Sequence, residues 1–451
     1  MSTRTIRATG ENPVLPPGTA MPGLLQGVSA LRDRRAALMR LRDRFGPDFT
    51  IKLPTFGTVV VISEPDEVRQ IFKTRPEDLD QIEANLGRVL GPNSLFALEG
   101  RRHKDQRKLL VPPFHGRRLA GYESVMVDEA SREFASWPQG REMSVLDSMM
   151  SITLNIILRA VFGAQGSEFE RLRVVIPPMV ELGSKLIVVP VPTWDLGRFS
   201  PWGRLNRYRR EYDAIVDGLI ATAVADPGLA DRGDVLAMMV QSRYDDGSAM
   251  TNAEISDQLL TLLTAGHETT ATTLAWAIER LRRHPAILDR LVAEVDAGVD
   301  DLLTAVILEV QRTRPVIDST FRQVKASSYS VGPWVLPRGQ NIMVGIDLVH
   351  TDDAVFADAA RFDPDRFLGA RPDPHEWIPF GGGVRRCIGA AFATMELHTV
   401  LRTLLTDYSI EPTLAPDESW YSRGVAFAPG SGGRIVVRRR SRRDVPTGGP
   451  S

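Results

Sequence analysis

The chain has 451 residues, 43% hydrophobic and 25% charged, with 55 Lys and Arg against 56 Asp and Glu and a formal net charge of −1. This length excludes a stapled miniature fold, and the even charge excludes a globally basic nucleic-acid binder. A single cysteine excludes an intrachain disulfide, so an oxidising compartment leaves no trace and a cytoplasmic home is expected. The opening "MSTRTIRATGENPVLPPGTAMPG" has neither the apolar core of a signal peptide nor the roughly 20 apolar residues of a membrane span.

Without repeats, heptads or a separating linker, one domain is expected over 40–437. It is preceded by a partly irregular lead (1–39) and followed by a basic, Gly/Pro-rich tail (438–451) that frays. In "DFTIKLPTFGTVVVIS" (48–63), β-branched residues flank a turn at Pro54 to Gly57, which predicts a hairpin; "PDEVRQIFK" then predicts a short helix. From about 100 to 310 the apolar spacing is helical, with stops at Pro112-Pro113, Pro177-Pro178, Pro190 to Pro201 and Pro285. Strand-like pieces return near 328–345 and 425–437, so the fold class is mainly α with a minor β portion.

Within this frame several stretches carry chemistry. "HKDQR" places His103 and Arg107 at i, i+4, where both reach one anion, while Arg101, Arg102, Lys104 and Lys108 read as a solvated face. "TNAEISDQLLTLLTAGHETTATTLAWAIERLRRHP" begins with a capping box, Thr251 and Glu254, and predicts a helix of roughly 32 residues and about 48 Å. Gly266 and the threonines at 264, 269, 270, 272 and 273 are poor helix formers whose hydroxyls compete for backbone carbonyls, a local violation that is either tolerated by packing or functional. "LEVQRTRPV" sets Glu309 and Arg312 three apart on one face, a spacing shared with ordinary surface pairs.

"FGGGVRRCIG" (380–389) holds the only cysteine. The helical spacing of Ala390, Ala393, Leu397, Val400, Leu401 and Leu404 puts Cys387 at a helix N-terminus, where unpaired N–H groups and Arg385 and Arg386 favour a thiolate. The glycines let the backbone turn tightly and approach something flat and bulky. A buried structural cysteine, a nucleophile and a metal ligand are the three readings. Glycines and arginines are poor core neighbours, and a nucleophile needs a base that none of the 7 histidines supplies by sequence. One cysteine cannot build a zinc site, but it can be the axial ligand of a haem.

The spacing Phe380-x-x-Gly383-x-Arg385-x-Cys387-x-Gly389 resembles the haem-binding loop of the cytochrome P450 family, soluble bacterial and actinobacterial members above all, and the resemblance extends from about 40 to about 437. It implies the P450 fold, with haem b (iron protoporphyrin IX) between a long central helix and the Cys-loop helix and with Cys387 as axial iron ligand. Phe380, Gly381 and Gly389 belong to the cofactor loop, and His103, Arg107, Arg322 and Arg385 match the propionate positions. Ala265 to Thr270 resembles the oxygen-activating segment, in which Thr269 hydrogen-bonds bound dioxygen and Glu268 serves proton delivery; His267 stands at its variable position. Arg366 of "FDPDRF" completes a structural triad with Glu309 and Arg312. After His350 the family often continues Arg-Asp-Pro where this chain has Thr351-Asp352-Asp353, a change in a loop that bears on packing.

The implied activity is that of a monooxygenase: two electrons and two protons cleave dioxygen, and one oxygen atom enters a C–H or C=C bond. A haem-thiolate peroxygenase or isomerase and a non-catalytic haem sensor are the alternatives. By resemblance the pocket is lined by Leu86, Val89, Leu90, Leu95, Leu186, Ile187, Val188, Ala265, Val316, Ile317, Val425 and Phe427, which favours a small apolar fatty-acid, terpenoid, steroid or aromatic substrate. Asp318 is the polar exception, facing either a substrate or the backbone. No GxGxxG follows a strand, so electrons are expected from a separate ferredoxin and ferredoxin reductase, docking on a patch of Arg101, Arg102, Lys104, Lys108 and Arg386.

Overall fold

The run Val59 to Ile62 is entirely buried, which a strand achieves only inside a sheet covered on both faces. In the computed structural model, which describes residues 12–19, 21–53, 56–82, 86–163, 166–188 and 192–440, the strand Gly57–Ile62 lies within a five-stranded sheet. Phe49–Leu53 pairs antiparallel with it as the expected hairpin, and Asn341–Gly345 pairs parallel on its other side. Ser319–Val324 and then Leu79–Asp80 follow, both antiparallel. The helix Pro65–Lys73 covers the predicted residues and buries Val68, Ile71 and Phe72 against this sheet.

The main core is helical, and its axis is the helix Asn252–Arg283, 32 residues long. Its start is fixed as predicted: the Glu254 N–H donates to Thr251 Oγ1 (3.2 Å) and the Thr251 N–H to Glu254 Oε2 (2.8 Å). It stays helical throughout, while Thr264, Thr269 and Thr273 each turn a hydroxyl onto the carbonyl four residues back. Leu146–Phe162 packs along it, and the cysteine-loop helix, Ala390–Asp407, meets it from another side.

A buried ionic knot ties the helical part together. Glu309 receives two 2.7 Å hydrogen bonds from Arg312, and both side chains are fully buried; Arg366 Nε adds a third at 3.3 Å. Arg312 also donates to the carbonyls of His350, Ala359 and Arg361, so every face of its guanidinium edge is occupied.

Three expectations need correction. The helix Ser167–Val188 passes through Pro177 and Pro178 rather than stopping there. The two lost bonds would have ended on Arg173 and Val174, both on the water-facing side, where solvent replaces them. The partly irregular N-terminal lead does not end at 39: Gly23–Phe45 is helical across that boundary, broken at Asp33 (φ −157), whose Oδ1 accepts from the Ala36 N–H (2.9 Å). Arg34–Asp318 (2.8 Å), Arg35–Asp347 (2.7 Å) and Arg42–Asp352 (2.6 Å) clamp this helix to the domain, and Leu38 packs with Phe49 and Ile51. The basic tail begins as a strand, Val437–Arg439, and Arg440 pairs with Asp296; residues 441–451, like 1–11, lie outside the described residues. Among the described residues no helix is long and apolar enough to cross a membrane.

Candidate active site

The cysteine loop is shaped by its glycines. Gly381 (φ 63) and Gly383 (φ 64) adopt left-handed backbone that other residues resist. A Cβ on Gly382 would overlap the ring of Phe72, and one on Gly383 the Phe72 carbonyl, so these two glycines make their close approach to the helix Pro65–Lys73. Gly381 and Gly389 face open space and keep the room a bulky flat group needs. The Cys387 N–H donates to the Phe380 carbonyl (3.0 Å), and the helix starts at Ala390 behind Gly389. Cys387 is exposed at its surface, yet protein crowds around it; burial pushes its thiol up, against the Gly389 N–H, Arg386 and Arg107, which pull it down. The lowered thiol pKa expected from the helix end is therefore not the balance that results. Burial outweighs an N-terminus that begins three residues later.

Four basic side chains gather beside this loop. Arg385 donates to the Leu95 (3.1 Å) and Leu98 (2.8 Å) carbonyls and to Asp80, which also accepts the Gly100 N–H at 2.9 Å. Arg322, buried, reaches the Gly382 carbonyl (3.2 Å), and Arg107 the Arg386 carbonyl (2.7 Å). Burial, then Arg385 and Arg107, push His103 down to about 4; burial and Arg385 bring Arg322 down to about 10. Asp80 is held low by Gly100 and Arg385 although burial opposes it. Arg107, Arg322 and Arg385 bring three positive charges and Asp80, bound to Arg385, offsets one of them, a surplus of two that suits a dianion such as the two propionates of a haem. The residues present fit the group implied by sequence. Among the described residues no cluster of three His, Cys, Asp or Glu could hold a bare metal ion instead.

The long helix is buried almost throughout from Ile255 to Leu281, but Ala265 is exposed and Thr264, Gly266 and Thr269 are half-buried. Positions 265 and 269 lie one above the other, so this is one open face in the middle of a core helix. Thr269 Oγ1 donates to the Ala265 carbonyl (2.6 Å). His267 and Glu268 line a cavity of about 650 Å³ with Asp147, Asn155, Pro177 and Arg423. There Glu268 is buried, Oε1 accepting from Arg423 Nε (2.7 Å) and Oε2 from Ser184 (3.3 Å). His267 is a packing residue: Thr153 bonds both its Nδ1 (3.0 Å) and its carbonyl (3.1 Å), and burial lowers its pKa to about 4.

The candidate pocket residues divide. Ala265 is accessible, and Ile317, Ile187 and Val425 are half-buried. Leu90, Leu95 and Val316 belong to the main core, as do Val89 and Leu186, with Leu86 packed against it. Phe427 is occupied by packing, with Arg34 at 4.5 Å over its ring and Trp420 against its edge. Asp318 is taken by Arg34 and Ser319, so neither a substrate nor the backbone claims its carboxylate. The Val188 side chain lies outside the described residues. On the basic helix, Arg101 pairs with Asp105 (3.5 Å) and Lys108 with Asp245 (2.6 Å); Arg102 and Lys104 on this helix and Arg386 on the cysteine loop are exposed as well. Asp352 accepts from Arg42 and the Ala354 N–H, and Asp353 from the Ala359 N–H, which accounts for the altered loop after His350 by local packing.

Sequence reasoning missed Asp80, Arg34, Ser184, Arg423 and Thr153. Each acts on a residue far along the chain, and only the partner's motif was visible.

Comparison with known proteins bears on this site. The family model described as Cytochrome P450 matches residues 13–431. Cytochrome P450 138 of Mycobacterium tuberculosis is 53% identical over 426 residues, covering 94% of this chain and 97% of that protein. Cytochrome P450 135B1 of Mycobacterium bovis is 38% identical over 441 residues, covering 96% of this chain and 92% of its own length. Among solved structures, retinoic acid-bound cyanobacterial CYP120A1 shares the fold with a TM-score of 0.82 at 23% identity, over 95% of this chain and 100% of that one. The P450DA heme domain does so at 0.83 and 21%, over 96% and 98%.

Proposed function

This chain belongs to the cytochrome P450 family of haem-dependent monooxygenases, and on that premise we propose that it inserts one atom of dioxygen into a small apolar molecule, with electrons from a separate ferredoxin and ferredoxin reductase. The observation that carries the reading is the surplus of two positive charges around Arg107, Arg322 and Arg385, beside an accessible Cys387. Cys387 would ligate the iron, and His103, Arg107, Arg322 and Arg385 would hold the propionates; neutral His103 would donate one hydrogen bond. When bound, the haem supplies dioxygen activation assisted by its thiolate ligand.

The remaining work falls to side chains of the long helix. Thr269 has a hydroxyl on the open face whose present acceptor, the Ala265 carbonyl, lies on the same strip, so a small rotation turns its proton toward a guest. Glu268 holds its carboxylate toward the 650 Å³ cavity between Arg423 and Ser184, a position from which it would take up protons. Rotation of that side chain past the helix edge would carry a proton to the Thr269 side. The apolar groups near Ala265, Ile317 and Val425 favour a lipid, terpenoid, steroid or aromatic substrate and exclude water from the reacting face. Arg102, Lys104 and Arg386 would receive an acidic ferredoxin, and the lone cysteine supports a cytoplasmic location.

The test is turnover with ferredoxin, its reductase and a library of these apolar classes under isotopically labelled dioxygen. One labelled oxygen per product, formed only with reductant, is expected. Equal product from peroxide alone would make the enzyme a peroxygenase, and gas binding without any product would make it a sensor.

A further inference from the structure

The cavity lined by His267 and Glu268 is walled mainly by two helices, Leu146–Phe162 and Ser167–Val188, and its volume of about 650 Å³ is that of a small-molecule site. It opens to water, since Val174 on its wall is 72% exposed. Ala265, Thr269, Val316, Ile317 and Cys387 are not among the described residues that line it. Its free polar groups are of one kind. Pro177 and Pro178 have no N–H, so the carbonyls of Arg173 and Val174 go without their helical partners, and all four residues lie on the wall. Asn155 gives its Nδ2 to the buried Glu129 carboxylate (3.0 Å), which fixes the orientation of the amide and leaves Oδ1 buried with no hydrogen-bond partner. The Thr153 hydroxyl has one proton, and its 3.1 Å contact with the His267 carbonyl requires Thr153 to donate it. The 3.0 Å contact with Nδ1 is then donated by the imidazole, so Nε2 is a bare acceptor on a ring that burial keeps neutral, its pKa lowered to about 4.

The charges on the wall leave one carboxylate over. Glu170 is answered by Arg173 (3.2 Å), Glu181 by Lys185 (2.7 Å) and Glu268 by Arg423 (2.7 Å). Asp147 is exposed and has no ion pair among the described residues. Both arginines on the wall are thus engaged, while the free groups are acceptors. Met150, Leu154, Val174 and Val180 supply apolar surface between them. An anion would meet Asp147 and a set of acceptors, and a wholly apolar guest would shut those acceptors from water without replacing their bonds. A bare metal ion fits no better, because no three His, Cys, Asp or Glu among the described residues could hold one. A guest with several N–H donors, one positive charge and a short apolar body matches every part of the wall.

We propose that this cavity is a second ligand site, taking a small organic cation of guanidinium or primary ammonium type with a short apolar chain. Its N–H groups would bond Asn155, His267 and the freed carbonyls, with its charge beside Asp147. Because Glu268 and Arg423 share the wall, an occupant would bear on proton uptake by Glu268, but the site stands without that reading.

The probe is butylguanidinium, which stays charged at every working pH and so does not ligate haem iron. Titration calorimetry on the haem-loaded, substrate-free protein should give a dissociation constant on the order of 0.1–1 mM, with the haem absorbance unchanged. Pentanoate and 1-pentanol, of similar size, should not bind detectably. Asp147→Asn should weaken binding at least about threefold. Val174→Arg, which sets a guanidinium of the protein's own at the wall, should abolish it. Both positions are exposed, so the thermal melt should hold. Absence of binding, equal binding of pentanoate or pentanol, or binding unchanged in either variant would overturn the proposal. So would a haem spectrum that shifts as the probe binds, since the cation would then sit beside the iron and not in this cavity.

Discussion

Replacing Glu309 with alanine should cost this protein much of its stability. Glu309 and Arg312 are both fully buried, and the carboxylate accepts two bonds from Arg312 at 2.7 Å, one from Arg366 at 3.3 Å and the Asp363 N–H at 2.8 Å. Deletion leaves the Arg312 charge buried with only the carbonyls of His350, Ala359 and Arg361, a loss of about 3–5 kcal/mol. The orphaned Asp363 N–H adds about 1–3 kcal/mol. Against a domain stability on the order of 5–15 kcal/mol, the variant retains little margin. Arg366→Ala should cost less than about 2 kcal/mol, because its contact is longer and its side chain is 15% exposed. Urea unfolding followed by far-UV circular dichroism measures both, with haem absorbance recorded separately to detect cofactor loss without unfolding. A Glu309→Ala protein within about 1 kcal/mol of the parent, or an Arg366→Ala cost as large as that of Glu309→Ala, would refute the assignment of an uncompensated buried charge.

Cys387→Ala removes the only thiol in the chain. Its reduced, carbon monoxide-bound spectrum should lose the thiolate-ligated band, and an unchanged band would remove Cys387 from the iron. Thr269→Ala deletes a hydroxyl whose bond merely returns to the Ala265 carbonyl. Stability and substrate binding should hold while reductant is diverted to peroxide, whereas parental product per reductant would assign Thr269 to packing. Glu67 is pushed up to about 8 by burial and by its hydrogen bond to Asp48, so the folded state holds a proton that the unfolded chain releases near 4.5. Its contribution is whole at acid pH and is lost as pH rises through about 8, a few kcal/mol at most. Thermal melts should therefore fall between about pH 5 and 8.5 in the parent and fall less in Glu67→Gln; parallel curves would mean that Glu67 ionises without cost.

The sequence was most informative where a local rule acts within one turn or one strand. The capping box at Thr251 and Glu254, the proline at the start of Pro65–Lys73 and the β-branched hairpin each stand as expected, and Glu309 met Arg312 because they are three residues apart. The strand Ser319–Val324 escaped notice because its alternate positions are only half-buried and give no apolar rhythm. Pro177-Pro178 misled for the opposite reason, a strong local signal overridden where water supplies the missing partners. Asp80 and Arg423 had no local signature at all, since each is defined by a partner 305 or 155 residues away. Asp318 looked free for a ligand until the helix Gly23–Phe45 brought Arg34 across 284 residues to occupy it.

That last contact also constrains how the molecule can be born. The helix Gly23–Phe45 and the strands Phe49–Leu53 and Gly57–Ile62 leave the ribosome first, yet their partners are Asp318, Asp347 and the strand Asn341–Gly345. At about 5–20 residues per second, those partners follow after a delay on the order of tens of seconds. Throughout it the fully apolar strand Val59 to Ile62 has a hairpin mate on one edge and nothing on the other. Nascent chains in this window present an unpaired β edge, the form most open to chaperone capture or to pairing with another nascent copy. Synthesis paused before the codon for Asn341 should therefore yield more aggregated protein than uninterrupted synthesis of the same chain.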